Sequence, residues 1–338
     1  MKKNKLTTLI ILIISVLTLS LRINAQGVNY VGTSVANFLK IGLSAKSVAV
    51  AEADITIADD ASTLYLNPGS VSWLEKSSAT FSYVQWLVQT NLSYFSIVLP
   101  TDYGNLGFDI AYFGSGDIKE TTLLRQEGTG RVVSASDLSI GLVYAKNLTD
   151  RFSFGLKLKY LSENLASVSA STFAFDIGSV FVTSFLNNMK IGITLSNFGG
   201  SLRFEGNDLL VTQVVPGSTT NKQVPAILQT NSWNLPLLFR IGISTTALEL
   251  DNYKLAINYL IVDSRDYDVR HNVGASFNIY DLVTLRGGYR FNYDEATFSA
   301  GIGIKTKTDF IGDLSLDYAY TDFGRLNGIN QFTLSINF

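Results

Sequence analysis

Asp59 and Asp60 are neighbouring carboxylates, a pair that could divide general acid and general base work. Adjacent residues on a strand or loop rarely face one substrate together, and no basic or nucleophilic motif stands beside them. Capping a short helix, or pairing with an arginine, is the commoner use of such residues. Arg240, Arg286 and Arg290 could hold an anionic head group, and Arg286 and Arg290 share one strand face with only Gly288 between them. The plainer reading gives them structural ion pairs with carboxylates of the N-terminal segment. His271 is the single histidine, which excludes a zinc site built from several histidines. The chain has no cysteine, so it has no disulfide, thiol nucleophile or thiolate metal site. Gly287-Gly288 has the wrong spacing for a phosphate-cradling loop and falls inside a strand pattern, where close backbone packing is the usual reason for glycine. These residues give no catalytic site, no metal site and no cofactor.

The elements that must hold them are unusual in composition. Of 338 residues, 46% are hydrophobic and only 16% are charged. A soluble domain carries about 25% charged residues, and a disordered chain needs few apolar ones. The formal net charge of −2 gives no reason to expect nucleic acid. Residues 1–25 read as a secretory signal peptide: Lys2, Lys3 and Lys5, an apolar run from Leu6 to Leu21, and a cleavage site at Ile23-Asn24-Ala25. Its removal takes away four basic residues and leaves 22 basic against 28 acidic side chains in a chain starting near Gln26. No later stretch has the ~18 uninterrupted apolar residues of a membrane-spanning helix.

From residue 79 onward the apolar period is two, that of a strand with two unlike faces. In Arg151–Tyr160, Phe152, Phe154, Leu156, Leu158 and Tyr160 share one face, while Ser153, Gly155, Lys157 and Lys159 share the other. Fourteen such segments can be placed between 79 and 338, the first near 79–87 and the eighth near 233–245, these two with the faintest alternation. The expected fold is all-β, a fourteen-stranded antiparallel transmembrane β-barrel. Outer-membrane barrels have even strand numbers, and closure leaves no unpaired backbone in lipid. The long connections, 114–135 and 198–232, both follow odd-numbered strands, which makes both extracellular; 88–90 and 293–295 would lie on the same side and are short. Tyr83, Trp86, Tyr94, Trp233, Tyr253 and Tyr280 stand near strand ends, as interfacial aromatics do.

Residues 26–78 lack this alternation and are expected to form a hatch that plugs the lumen, leaving 79–338 as the barrel. Asn37–Ala53 reads as an amphipathic helix of small and apolar residues. Asn67-Pro68-Gly69 is turn chemistry, with proline fixing φ and glycine tolerating positive φ.

The run Phe38-Leu39-Lys40-Ile41-Gly42-Leu43-Ser44-Ala45-Lys46, followed by Ala58-Asp59-Asp60-Ala61-Ser62-Thr63-Leu64-Tyr65-Leu66-Asn67-Pro68-Gly69, resembles the N-terminal region of the PorV/PorQ family. That family is similar to the FadL-type transporters, fourteen-stranded barrels with an N-terminal hatch. The motif resemblance covers about residues 37–73. It departs from the family pattern at Lys46 (usually Arg), at Val48–Ala51 (usually a Gly-Met-Gly-like stretch) and at Gly69 (usually Ala). The resemblance implies an outer-membrane component of type IX protein secretion in a Gram-negative-type bacterium. Its partners would be outer-membrane lipid, secreted proteins with a C-terminal sorting domain, and a sortase-like attachment partner. The alternative is a FadL-type transporter of a long hydrophobic small molecule. Neither is an enzyme. Loop residues Leu209, Leu210, Val211, Val214 and Val215, with Ile227 and Leu228, place much apolar area in one connection, suited either to docking a partner or to folding back over the lumen.

Overall fold

The computed structural model describes residues 32–214, 223–308 and 312–338. The leader at 1–25 and the loop residue Val215 lie outside the described residues. Along Phe152–Leu165, Ser153, Gly155, Lys157 and Lys159 are buried, while Phe154, Leu156, Leu158 and Tyr160 are exposed. The buried face is polar or small and the exposed face is apolar. That inverts the rule for a sheet in water, and it suits a sheet whose outer solvent is hydrocarbon and whose interior is wet or plugged.

The barrel strands among the described residues are β1 (Ser78–Gln85), β2 (Asn91–Thr101), β3 (Gly104–Gly114), β4 (Ala135–Thr149), β5 (Phe152–Leu165), β6 (Val168–Val182) and β7 (Lys190–Gly199). They continue as β8 (Leu238–Leu250), β9 (Tyr253–Ser264), β10 (Tyr267–Ile279), β11 (Val283–Phe291), β12 (Phe298–Thr308), β13 (Gly312–Asp322) and β14 (Gly328–Asn337). Each pairs antiparallel with its sequence neighbours, and β1 closes the ring on β14, with Ser78 opposite Asn337 and Gln85 opposite Asn330. Hydroxyls line the inner side of that seam: Thr80 Oγ1 donates to Ser335 Oγ at 3.1 Å, and Ser82 Oγ lies 2.7 Å from Thr333 Oγ1.

The eighth strand begins at Leu238, five residues later than its alternation suggests. Trp233-Asn234 pairs with Ser201-Leu202 in a separate ribbon, and Pro236, which lacks an N–H for a ladder, breaks the path between them. The first strand ends at Gln85, because Trp86 turns away to pack edge-on against Phe323, with ring centroids 5.2 Å apart. Tyr94 is no interfacial aromatic. It points inward, is fully buried, and its hydroxyl donates to Asp109 at 3.2 Å.

One rim carries the start of β1, the end of β14 and tight turns such as Asp102-Tyr103 and Asp150-Arg151. The opposite rim carries the connections 115–134 and 200–237.

Residues 32–77 fill the ring. The single helix expected over Asn37–Ala53 is instead two short pieces, a 3-10 turn at Asn37–Lys40 and α1 at Ala45–Ala49, joined by extended chain. All five residues of α1 are buried, so no face is left for water and no amphipathic stripe is required. Glycines of the wall make room for this segment. A Cβ at Gly242 would meet Ile55 at 2.6 Å, and one at Gly288 would meet the backbone of Val50 and Ala51 at 2.5–2.6 Å.

Candidate functional site

Asp60 is where the hatch motif converges. Its carboxylate caps the 3-10 turn Ala61–Tyr65 by accepting from the Ser62 N–H at 2.9 Å. The same group accepts from Lys46 Nζ at 2.8 Å and from Ser335 Oγ of β14 at 3.1 Å. Burial alone would raise its pKa, but the Lys46 ammonium and the Ser62 bonds outweigh that and hold it down to about 2. Lys46 is buried, which disfavours its charge, yet the carboxylates of Asp60 and Asp59 keep it above its ordinary range. Asp59 stands apart: its side chain is exposed and 3.6 Å from Lys46. The two aspartates therefore have unlike environments, one buried in an ion pair and one exposed. Nearby, Asp54 accepts from Ser47 Oγ at 2.5 Å, and burial raises its carboxyl to about 6.

Asn67 pins the hatch to the wall. Its Nδ2 donates to Ile55 O at 3.0 Å and to Ser179 O of β6 at 3.1 Å, while its Oδ1 accepts from the Gly69 N–H at 2.9 Å. Gly69 has φ −69°, so its role is not the positive φ expected of it. A Cβ there would lie 2.6 Å from Gly178 O, so close approach to β6 is the reason for glycine. Pro68 packs against Gly155 and Gly178, which face each other across β5 and β6.

The three lumen arginines are not one site. Arg286 donates to Asp317 of β13 at 2.6 Å and shares a cavity with Asp59, Asp60 and Lys46 on the short-turn side of the hatch. Arg290 lies 3.9 Å from Glu52 and donates to Val48 O at 3.4 Å, so it holds the hatch. Arg240 donates to Ser196 Oγ at 3.1 Å and lines a cavity of about 30 Å³ toward the long-loop side. Around that small cavity Lys157 pairs with Asp109, and Lys159 pairs with Asp176 at 2.7 Å. Asp176 also accepts from the Asn197 N–H at 2.7 Å, at a bulge where the β6–β7 register slips between Phe175 and Ile177. The cavities on both sides of the hatch thus have charged walls. Among the described residues no group of three or more His, Cys, Asp or Glu side chains could hold a metal ion.

The long connection 200–237 does two things at once. Its base folds back: Leu202 and Leu235 are buried in an apolar cluster with Phe38 and Ile41 of the hatch, and the Val35 N–H donates to Asn234 O at 3.2 Å. Its middle projects as a hairpin, Leu210–Val214 against Gln223–Ile227. There Leu210 and Ile227 face each other across the strands, exposed by 54% and 71%, with Val214 and Leu228 also exposed, while Leu209 and Val211 are half-buried. The connection 115–134 forms a second hairpin whose tip is Leu123-Leu124, exposed by 93% and 97% and held between Thr122 and Arg125. Arg131 ties the two connections together, 3.7 Å from Glu120 and 4.0 Å from Asp208. Leu123 and Leu124 escaped the sequence reading. Their signal was two adjacent leucines flanked by polar residues inside a non-alternating stretch.

The closed barrel, its inner hatch and its lipid-suited outer face define a transmembrane β-barrel with an N-terminal hatch. The profile of the family described as "Type IX secretion system protein PorV" matches residues 24–214, and the chain belongs to that family. Comparison with curated proteins gives no match. Among solved structures, a FadL homologue of Pseudomonas aeruginosa aligns at 12% identity over 92% of this chain and 99% of its own, with TM-score 0.54. The Ralstonia pickettii toluene transporter TbuX aligns at 12% identity over 88% of this chain and 97% of its own, with TM-score 0.56. The Pseudomonas putida toluene transporter TodX aligns at 10% identity over 88% and 97%, with TM-score 0.55. At such identities the likeness is one of fold.

Proposed function

We propose that this protein works in the outer membrane of a Gram-negative-type bacterium as a component of type IX protein secretion, holding secreted cargo and surface-attachment partners on its extracellular loops. In this reading residues 1–25 are a cleaved leader, 26–78 the hatch and 79–338 the barrel. The short-turn rim faces the periplasm and the long-loop rim the outside, the asymmetry typical of outer-membrane barrels. The observation that carries the reading is exposed apolar surface on two linked hairpins of that outer rim: Leu123-Leu124 at the tip of one, and the cross-strand pair Leu210/Ile227 at the base of the other. Apolar side chains bare to water beyond the membrane mark a place where a partner sits.

A second reading, transport of a hydrophobic solute, takes its support from the fold shared with the toluene transporters. A hydrophobic solute needs an apolar path, and the cavities beside this hatch, although Phe38, Leu39 and Leu43 line the smaller one, are walled by Arg240 and by Lys157, Lys159, Lys46 and Arg286 with their carboxylate partners. That weighs toward the first reading. The experiment is replacement of Leu123, Leu124, Leu210 and Ile227 by serine, followed by measurement of secreted proteins retained at the cell surface. The docking reading expects retention to fall with the barrel still assembled. Unchanged retention removes its main support.

A further inference from the structure

On the periplasmic side of the hatch a cavity of about 540 Å³ lies between residues 46–60 and the inner wall from β7 round to β14. Most of its ionised groups already have partners. Lys46 pairs with Asp60, Arg286 with Asp317, Lys305 with Asp313 at 3.6 Å and Lys254 with Glu249 at 3.5 Å. One row of the wall is different. Lys190 of β7 stands opposite Ser244 of β8, which stands opposite Asn258 of β9. Asn258 is 1% exposed and Ser244 5%. Among the described residues neither polar atom of Asn258 has a hydrogen-bond partner, nor has Ser244 Oγ, and Lys190 makes no salt bridge. All three residues line the cavity.

Leaving one buried amide unpaired costs about 1–3 kcal/mol, and buried side-chain polar atoms in folded proteins are nearly always satisfied. Two unsatisfied side chains beside an ammonium that has Asp59 near it but no salt bridge, in register across three strands and lining one cavity, form a donor-rich wall. The volume falls within the ~300–1,000 Å³ typical of small-molecule pockets. The ammonium, the amide N–H groups and the hydroxyl suit an anionic oxygen group. The Asn258 carbonyl needs a donor, which a ligand hydroxyl supplies. We propose that Lys190, Ser244 and Asn258 form a binding site, entered from the periplasm, for a small hydroxylated organic anion of the sugar-acid or sugar-phosphate class. This site stands independently of the loop-docking reading, since it lies on the other side of the hatch.

The test is calorimetric titration of the full mature protein in detergent micelles with 6-phosphogluconate, with gluconate and inorganic phosphate run alongside. The expected result is saturable binding of 6-phosphogluconate, weakened at least tenfold by Asn258→Leu and by Lys190→Gln, and unchanged by Arg325→Gln on the opposite rim. Thermal unfolding supplies a readout without ligand. An amide kept for a ligand is a liability to the empty protein, so Asn258→Leu leaves Tm unchanged or raises it. Absence of saturable heat with all three probes overturns the proposal, as does binding that survives both substitutions. Phosphate binding as tightly as 6-phosphogluconate overturns the hydroxylated class. A fall in Tm for Asn258→Leu makes the amide structural and overturns its role.

Discussion

Asp54 and Asp60 are both buried in the hatch, and their titrations act on stability in opposite directions. Asp60 sits at about 2 when folded against 3.8 ordinarily, so its contribution is present above pH 4 and is lost as pH falls through about 2. Asp54 sits at about 6, so the folded state binds its proton more tightly and stability drops as pH rises from about 4 to 6. Tm in detergent is therefore expected to peak between the two, near pH 4–5. Asp54→Asn should flatten the limb between pH 4 and 6 and raise Tm at neutral pH. A wild-type profile flat from pH 4 to 7 would contradict this account of Asp54. Asp60→Asn should cost about 3 kcal/mol, because it leaves the buried Lys46 ammonium with only the more distant Asp59. Urea unfolding at pH 7 measures that difference.

The strands and the hatch meet through missing side chains. Gly287 and Gly288 are adjacent on β11, yet a Cβ at Gly287 meets nothing within 4 Å, while one at Gly288 meets Ala51 and Val50 backbone atoms. Gly287→Ala should be neutral or slightly stabilising. Gly288→Ala should lose about 1–3 kcal/mol from overpacking and loosen the hatch, seen as ion conductance in planar bilayers. Equal behaviour of the two variants would mean the hatch does not seat on this wall. The strands themselves were legible because period-two alternation of Phe154, Leu156 and Leu158 against Gly155, Lys157 and Lys159 is the direct imprint of two unlike solvents. The hatch was legible as a segment but not in its conformation. Its residues are buried on every side, so they carry no periodicity, and the reason for Gly69 lies on Gly178, more than a hundred residues away. The separation of Arg240 from Arg286 was also hidden, because it depends on where the hatch crosses the lumen. The fold-back of Leu202 and Leu235 and the outward projection of Leu210 belong to one connection, and only their different pairings separate them.

At the scale of the whole molecule, the barrel is an inverted protein whose outer band must meet lipid. Leu158 lies near the middle of β5 and faces outward. Leu158→Arg should destabilise the barrel in bilayers by about 2–4 kcal/mol, whereas Leu123→Arg, beyond the membrane, should change little. Comparable losses at both positions would contradict the placement of the lipid band. The central claim is that the hatched barrel acts through its outer loops. It is tested most directly by purifying the tagged protein from outer membranes in mild detergent, wild type beside the variant with serine at 123, 124, 210 and 227, and identifying what accompanies each. The account predicts that wild type carries secreted proteins sharing one C-terminal domain, or a surface-attachment partner, and that the variant, equally well folded, carries neither. Recovery of the same partners with both proteins, or of the barrel alone with a bound long-chain lipid, would contradict it.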